Sequence, residues 1–346
     1  KTIDKKYGTP RLTEIRAEIE ELKIDTEVMV AQEDVMLLVS RDGYVKRSSL
    51  RSFKASDESD NGLKEEDVVI LMKVANTLDH LLMFTNKGNV IYRPIHDIVD
   101  SRWKDTGEHL SQTVGLSDDE RVIEAFTFDS LEKEGAFVFA TKEGMIKQTL
   151  LKDLKPGRTY RSRAQTFIKL KTDTDEVIMA EFVETENEDL QVFCTTHAGY
   201  GLRYLLNEVP TTGARTSGVK CMDLRDDFLI SVSLVSEHDE VAIVTQRGAF
   251  KKMKVDKIPE NSRARRGVQI LRELKRNPHR IFFAKPVIET DKLIIETTAG
   301  EKIELSVSDH PSCDRYSNGS FVLDTDSQGN PCLVTIVRQE NDSEDE

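Results

Sequence analysis

The sequence predicts an all-β ring of six four-stranded blades, and three observations carry that reading. Six times an apolar run ends in Ser or Thr, passes two residues and reaches Gly. The six are Ser40-Arg41-Asp42-Gly43, Thr85-Asn86-Lys87-Gly88, Thr141-Lys142-Glu143-Gly144, Thr196-His197-Ala198-Gly199, Thr245-Gln246-Arg247-Gly248 and Thr297-Thr298-Ala299-Gly300. The glycines stand 45, 56, 55, 49 and 52 residues apart, and a period near fifty with one hairpin signal per unit is what a ring of β-blades leaves in a sequence. The runs ahead of the glycines are short, β-branched or aromatic, and bounded by turns, which suits strands and is too brief for helices.

Taken in order, residues 1–26 differ from the rest. Thr13 can cap a helix in which Ile15, Ile19 and Leu22 share one stripe among Glu and Arg, which predicts an amphipathic linker helix. The β-ring then spans residues 27–338. Its hairpins open on 35–39, 81–84, 137–140, 192–194, 241–244 and 293–295, and continuous apolarity there predicts burial on both faces. Further strands, such as 68–74 and 177–183, precede the next hairpin and complete about four per unit. Residues 333–337 have no hairpin after them, whereas the first unit begins abruptly. The expectation is that 333–337 joins the sheet of 35–39 and closes the ring, removing two exposed edges. Residues 339–346 form a separate acidic tail, expected to be solvated and disordered.

Composition bounds the function. The 346 residues exceed the size at which one compact core stops growing, which a repeat array evades because each unit packs mainly on its neighbours. No apolar run reaches the roughly 20 residues of a membrane helix and no signal peptide is present, which points to the cytoplasm. A chain that starts on Lys1 reads as part of a longer protein. Cys194, Cys221, Cys313 and Cys332 lack any Cys-x-x-Cys spacing and read as small buried residues in a reducing compartment. No metal, nucleotide or nucleophile motif is present, so no catalytic residue and no cofactor is assigned.

The net charge of −13 hides a segregation. Residues 147–171 hold eight bases against one acid, 256–280 eight against three, and 41–54 five against one. The bases also recur in register. Three to five residues past the hairpin glycine stand Lys46 and Arg47, Arg93, Lys147, Arg203, and Lys251 and Lys252, whereas the sixth unit has Glu304. Equivalent positions in successive blades share one rim, so these bases are expected to form an arc for a polyanion. Arg51 and the connecting-segment residues Arg158, Arg161, Arg163, Arg263, Arg265 and Arg266 extend it. Trp103 and Tyr160 are expected to be packing residues, because no aromatic cluster supports base stacking.

Residues 35–53, VMLLVSRDGYVKRSSLRSF, resemble the first repeat of the C-terminal domain of bacterial type IIA topoisomerase A-subunits. Residues 5–15 resemble the linker before it, and 261–268, NSRARRGV, its fifth-repeat loop. The resemblance implies a six-bladed β-pinwheel whose blades exchange strands and whose basic rim bends double-stranded DNA. Gyrase members carry the box QRRGGKG after the first repeat; here residues 50–62 read LRSFKASDESDNG. That departure points to the topoisomerase IV branch, in Gram-positive spelling. It implies a domain that presents a DNA segment for ATP- and Mg2+-dependent strand passage by an assembly of two A-type and two B-type subunits. The catalytic groups of that assembly lie outside this chain. A gyrase-type wrapping domain, or a propeller serving as a protein-interaction scaffold, are the alternatives.

Overall fold

A computed structural model describes residues 30–184 and 189–338; the helix expected from Thr13 and the acidic tail lie outside them. The six hairpin turns account for the Ser/Thr-x-x-Gly signature atom by atom. In each, the glycine N–H donates to the Ser or Thr carbonyl at between 2.9 and 3.2 Å. The hydroxyl then accepts from the N–H just beyond the glycine at 3.1–3.2 Å. A hydroxyl at the first position and a positive φ at the fourth are therefore both structural needs.

Six antiparallel sheets follow one another along the chain, five of four strands and the last of three. Blade one joins Asp34–Ser40, Tyr44–Ser49 and Val69–Asn76 to Glu108–His109. Blade two joins His80–Thr85, Asn89–Pro94 and Val122–Phe128 to Gln165–Thr166. Blade three joins Ala136–Thr141, Met145–Leu150 and Val177–Val183 to Val219–Lys220. Blade four joins Gln191–Thr196, Tyr200–Leu205 and Leu229–Val235 to Val268–Gln269. Blade five joins Glu240–Thr245, Ala249–Lys254 and Ile281–Val287 to Ser320–Phe321. Blade six holds Lys292–Thr297, Lys302–Ser306 and Pro331–Val337. Each four-stranded blade thus takes its last, two-residue strand from the unit that follows.

Two expectations need correction. The strands at 69–76 and 177–183 pair with the hairpin before them, Leu37 opposite Lys73 and Val138 opposite Glu181, not with the hairpin they lead into. The first strand of each hairpin has one edge that its mate leaves unpaired, and the returning strand satisfies those backbone groups. Pro331–Val337 pairs with its own hairpin, Ile294 opposite Thr335, and not with residues 35–39; the partner nearer along the chain costs less closure entropy. No hydrogen-bonded strand pair joins blade six to blade one among the described residues, so blade six keeps one open edge. The hairpin glycines register the difference. A Cβ on Gly248 would meet Leu323 O at 2.6 Å, while nothing lies within 4 Å of one on Gly300.

The first strand of each hairpin in blades one to five lies buried between neighbours, as continuous apolarity predicts. Between blades two and three the core is aromatic: Phe84 stands 4.7 Å from Phe137 and 5.0 Å from Phe167, ring centre to ring centre. The edge strands 69–76, 122–128, 177–183, 229–235, 281–287 and 331–337 each touch the next. Glu124 of blade two and Glu181 of blade three feel Lys285 of blade five, so charge from separate blades converges among these strands. Crowding by protein pushes the Glu124 carboxyl up to about 7, against the pull of Lys285. Cys194 and Cys221 are buried and free, as expected, but Cys313 and Cys332 are not buried.

Candidate nucleic-acid interface

Past each hairpin the chain leaves its own blade, and in units two to six it crosses to the blade before. The crossovers run over residues 95–107, 151–164, 206–218, 255–267 and 307–319, each ending at a two-residue strand. Residues 50–68 are the counterpart in unit one. Its short helix Leu50–Lys54 is capped by the Ser49 hydroxyl, which accepts from Ser52 N. Backbone bridges anchor the crossovers in equal register: Arg47 with Asp100, Gln148 with Thr211, Arg203 with Glu260, and Lys252 with Ser312.

The register cations point inward to these crossovers. Lys46, Lys147 and Lys251 are at most 2% exposed. The Lys46 ammonium donates to Asn61 O, Trp103 O and Asp105 O. Lys147 donates to Gly213 O, Ala214 O and the Thr216 hydroxyl. Lys251 donates to Ile270 O, Asp314 O, Arg315 O and Ser317 O. Burial lowers all three to about 8, with Asp105 and Asp60 pulling Lys46 back up. Arg93 reaches Tyr160 O and Arg161 O. Arg203 reaches Ile258 O and the Gln191 amide oxygen, and Lys252 pairs with Glu240 at 3.3 Å.

These six expected phosphate contacts are therefore corrected: Lys46, Arg93, Lys147, Arg203 and Lys251 are buried fasteners of the exchanged segments, and Lys252 is buried against Glu240. A charge taken out of water stays protonated only where enough acceptors surround it, and the crossover carbonyls are those acceptors. Arg47 is half-buried and donates to Ile98 O at 2.8 Å in the same role. Trp103 is fully buried, edge-on to Phe53 at 4.7 Å, and Tyr160 packs on Tyr92 at 5.0 Å, which bears out their packing role.

The cations that remain outside lie on the crossovers. Arg51, Arg158, Arg163 and Arg265 are exposed and have no ion pair among the described residues. Arg161 is exposed but clamped to Asp97, with Nε–Oδ2 at 2.9 Å, which raises its pKa further. Arg263 is half-buried, its Nε donating to Glu208 O at 3.1 Å. The Arg266 guanidinium lies 4.1 Å from the Tyr200 ring centre. Exposed bases that the register argument passed over stand beside them: Lys169, Lys171, Arg215, Arg272, Lys275 and Arg276. Their signal in the sequence was charge density, not position after the glycine.

Successive crossovers are bonded to one another into a belt. Thr106 Oγ1 donates to Gly62 O at 2.9 Å, and Arg161 meets Asp97. Lys169 N donates to Thr216 O at 3.1 Å, Ala264 N to Cys221 O at 3.1 Å, and Asp223 N to Arg265 O at 3.0 Å. Arg272 exchanges two bonds with the Asn318 amide at 2.9 and 3.0 Å. Along this belt the exposed bases concentrate on units three to five. Unit one instead exposes Asp57, Glu58, Asp60, Glu65 and Glu66.

Comparison with known proteins gives a consistent family. The family described as DNA gyrase C-terminal domain, beta-propeller, matches residues 34–57, 79–129, 136–183, 191–236 and 239–288. The A-subunit of DNA topoisomerase 4 from Bacillus subtilis is 42% identical over 341 residues, covering 98% of this chain and 42% of that protein. Its Streptococcus pyogenes counterpart is 39% identical over 343 residues, covering 93% and 41%. The chain thus spans about two fifths of the length of the curated relatives it matches. The crystal structure of the C-terminal domain of DNA topoisomerase IV superposes with a TM-score of 0.83 at 42% identity, covering 89% of this chain and 94% of that one. A DNA gyrase A C-terminal domain shares the fold, with a TM-score of 0.61 at 23% identity over 88% of this chain and 100% of that one.

Proposed function

The chain belongs to the family of DNA gyrase C-terminal β-propeller domains, in its topoisomerase IV A-subunit branch, and from that premise we propose that it binds and bends duplex DNA along the crossover belt. One observation carries this reading: exposed arginines from units three and five stand on segments bonded to one another, so their charges share one continuous support. Arg158, Arg163 and Arg265 face the phosphates; Arg161, Arg263 and Arg266, each held by protein groups, stand beside them, with Arg51 at the margin.

Affinity then comes from neutralising phosphates and releasing counterions. No recognition helix projects from the belt, so preference comes from DNA shape and deformability. Bending a site by tens of degrees costs on the order of 1–6 kcal/mol, and a cationic run confined to about half the units offsets a moderate bend. The acids of unit one repel a duplex there, which opposes complete wrapping. The domain would present its curved segment for strand passage, decatenation and relaxation by an assembly that holds two A-type and two B-type subunits. No group of three His, Cys, Asp or Glu among the described residues is placed to hold a metal. No step through Mg2+ or ATP is assigned to this chain.

Replacing Arg158, Arg163 and Arg265 together by Ala tests the reading, because none of the three fastens a crossover with its side chain. Duplex binding should weaken, and the log–log salt dependence should flatten by about 0.9 for each phosphate that is no longer neutralised. An unchanged salt slope in the triple variant would remove the belt as the binding surface.

A further inference from the structure

The last strand of blade five breaks the polar pattern of the rim. At the outward position of the two-residue strands, blades one to four carry His109, Thr166, Lys220 and Gln269. Blade five carries Phe321, opposite Ala249, and it is 62% exposed. A large apolar ring thus stands in water where its four counterparts are polar.

Its surroundings indicate a partner. The Arg247 guanidinium lies 5.5 Å from the Phe321 ring centre, and the ring of His279 lies 5.6 Å away. Arg247 donates to Asn277 O at 2.8 Å, which ties the turn of blade five to the loop bearing exposed Arg272, Lys275 and Arg276. That loop joins the belt through Arg272 and Asn318. Glu273 is offset by its pair with Arg280 at 3.2 Å, while Asp324 caps the short helix Thr325–Gln328, accepting from Asp326 N and the Ser327 hydroxyl. Phe321 is thus an apolar point framed by cations at the end of the cationic run.

We propose that Phe321 is a wedge, entering the minor groove of the duplex carried by the belt and parting one base step at blade five. The inference rests on the DNA-binding reading. Proteins that kink DNA place an apolar side chain between base steps and cations on the phosphates either side. A flexible pyrimidine–purine step yields most readily. The wedge fixes the bend at one point of the belt, whereas phosphate contacts alone distribute it.

The test uses the whole 346-residue chain and a duplex with 2-aminopurine at a central TA step and a fluorophore pair at its ends. Wild-type protein should raise the 2-aminopurine emission and shorten the end-to-end distance. Phe321→Ala should abolish the emission rise and remove about half of the distance change, with the salt slope unaltered. Phe321→Leu, still an apolar wedge, should retain most of both. An F321A protein that matches wild type in both signals would overturn the wedge, as would altered self-association of F321A in sedimentation with DNA bending intact. Absence of any duplex binding by wild type at low salt would instead remove the belt reading, and the wedge with it. Binding with a normal salt slope but no emission rise would remove the wedge alone.

Discussion

The Lys147 ammonium nitrogen lies 2.9 Å from the carbonyl oxygen of Gly213, so a buried charge of blade three holds the segment that leaves blade four. Lys147→Met keeps the length and removes the donor, leaving the Gly213 and Ala214 carbonyls without this partner. These bonds are only part-buried, so leaving the acceptors unsatisfied should cost about 1 kcal/mol, the low end for such a loss, and urea denaturation should show it. The salt slope of duplex binding should not change, because this cation never reaches a phosphate.

Asp97 occupies Arg161 in a two-point clamp. Asp97→Asn weakens the clamp, removes a negative charge from the belt and frees Arg161 to meet DNA. Duplex affinity at low salt should rise, with a log–log slope steeper by about 0.9. Fluorescence anisotropy over a salt series measures both.

Glu124 gives the pH dependence a definite sign. Its folded pKa of about 7 lies above the ordinary 4.5, so its contribution is complete below 4.5 and is lost as the pH rises through 7. Lys46, Lys147 and Lys251 sit at about 8 against 10.5; their contribution is present above 10.5 and is lost as the pH falls through 8. The two windows do not overlap. Neutral Gln stands in for the protonated carboxyl, so thermal melts of wild type and Glu124→Gln should agree near pH 4.5 and diverge toward about pH 7.5, wild type becoming the less stable.

Trp103 binds residues 50–68 to blade one, its indole N–H donating to Asp57 O at 3.2 Å and to Glu58 O at 3.3 Å. The Lys46 nitrogen lies 4.6 Å from its ring centre. Trp103→Ala should destabilise by about 3–5 kcal/mol, with residues 50–68 losing protection first in hydrogen exchange. Protection lost evenly across all six blades would refute that local role.

What the sequence disclosed follows from range. The hairpins were legible because Thr245 and Gly248 make their defining bonds within five residues. The exchange of strands came only from the family resemblance, because nothing local says whether Glu108–His109 belongs to blade one or blade two. That choice depends on how Gly107 approaches the backbone of Val45, where a Cβ would stand 2.7 Å from its carbonyl oxygen. The register of Lys46, Lys147 and Lys251 was read correctly as equivalence but wrongly as exposure. Periodicity shows that side chains share an environment and does not show whether that environment is water. Arg158 and Arg265 lie on irregular segments where no period applies, and only their charge marked them.

A hairpin that accepts the segment of whichever unit comes next does not specify that unit. With glycine turns, hydroxyl acceptors and anchoring bridges all in equal register, excising one whole repeat would bring the following segment to the same berth on the preceding sheet. Adding one would do likewise. Blade number is thus open to change by simple duplication or loss, and with it the length of the crossover belt.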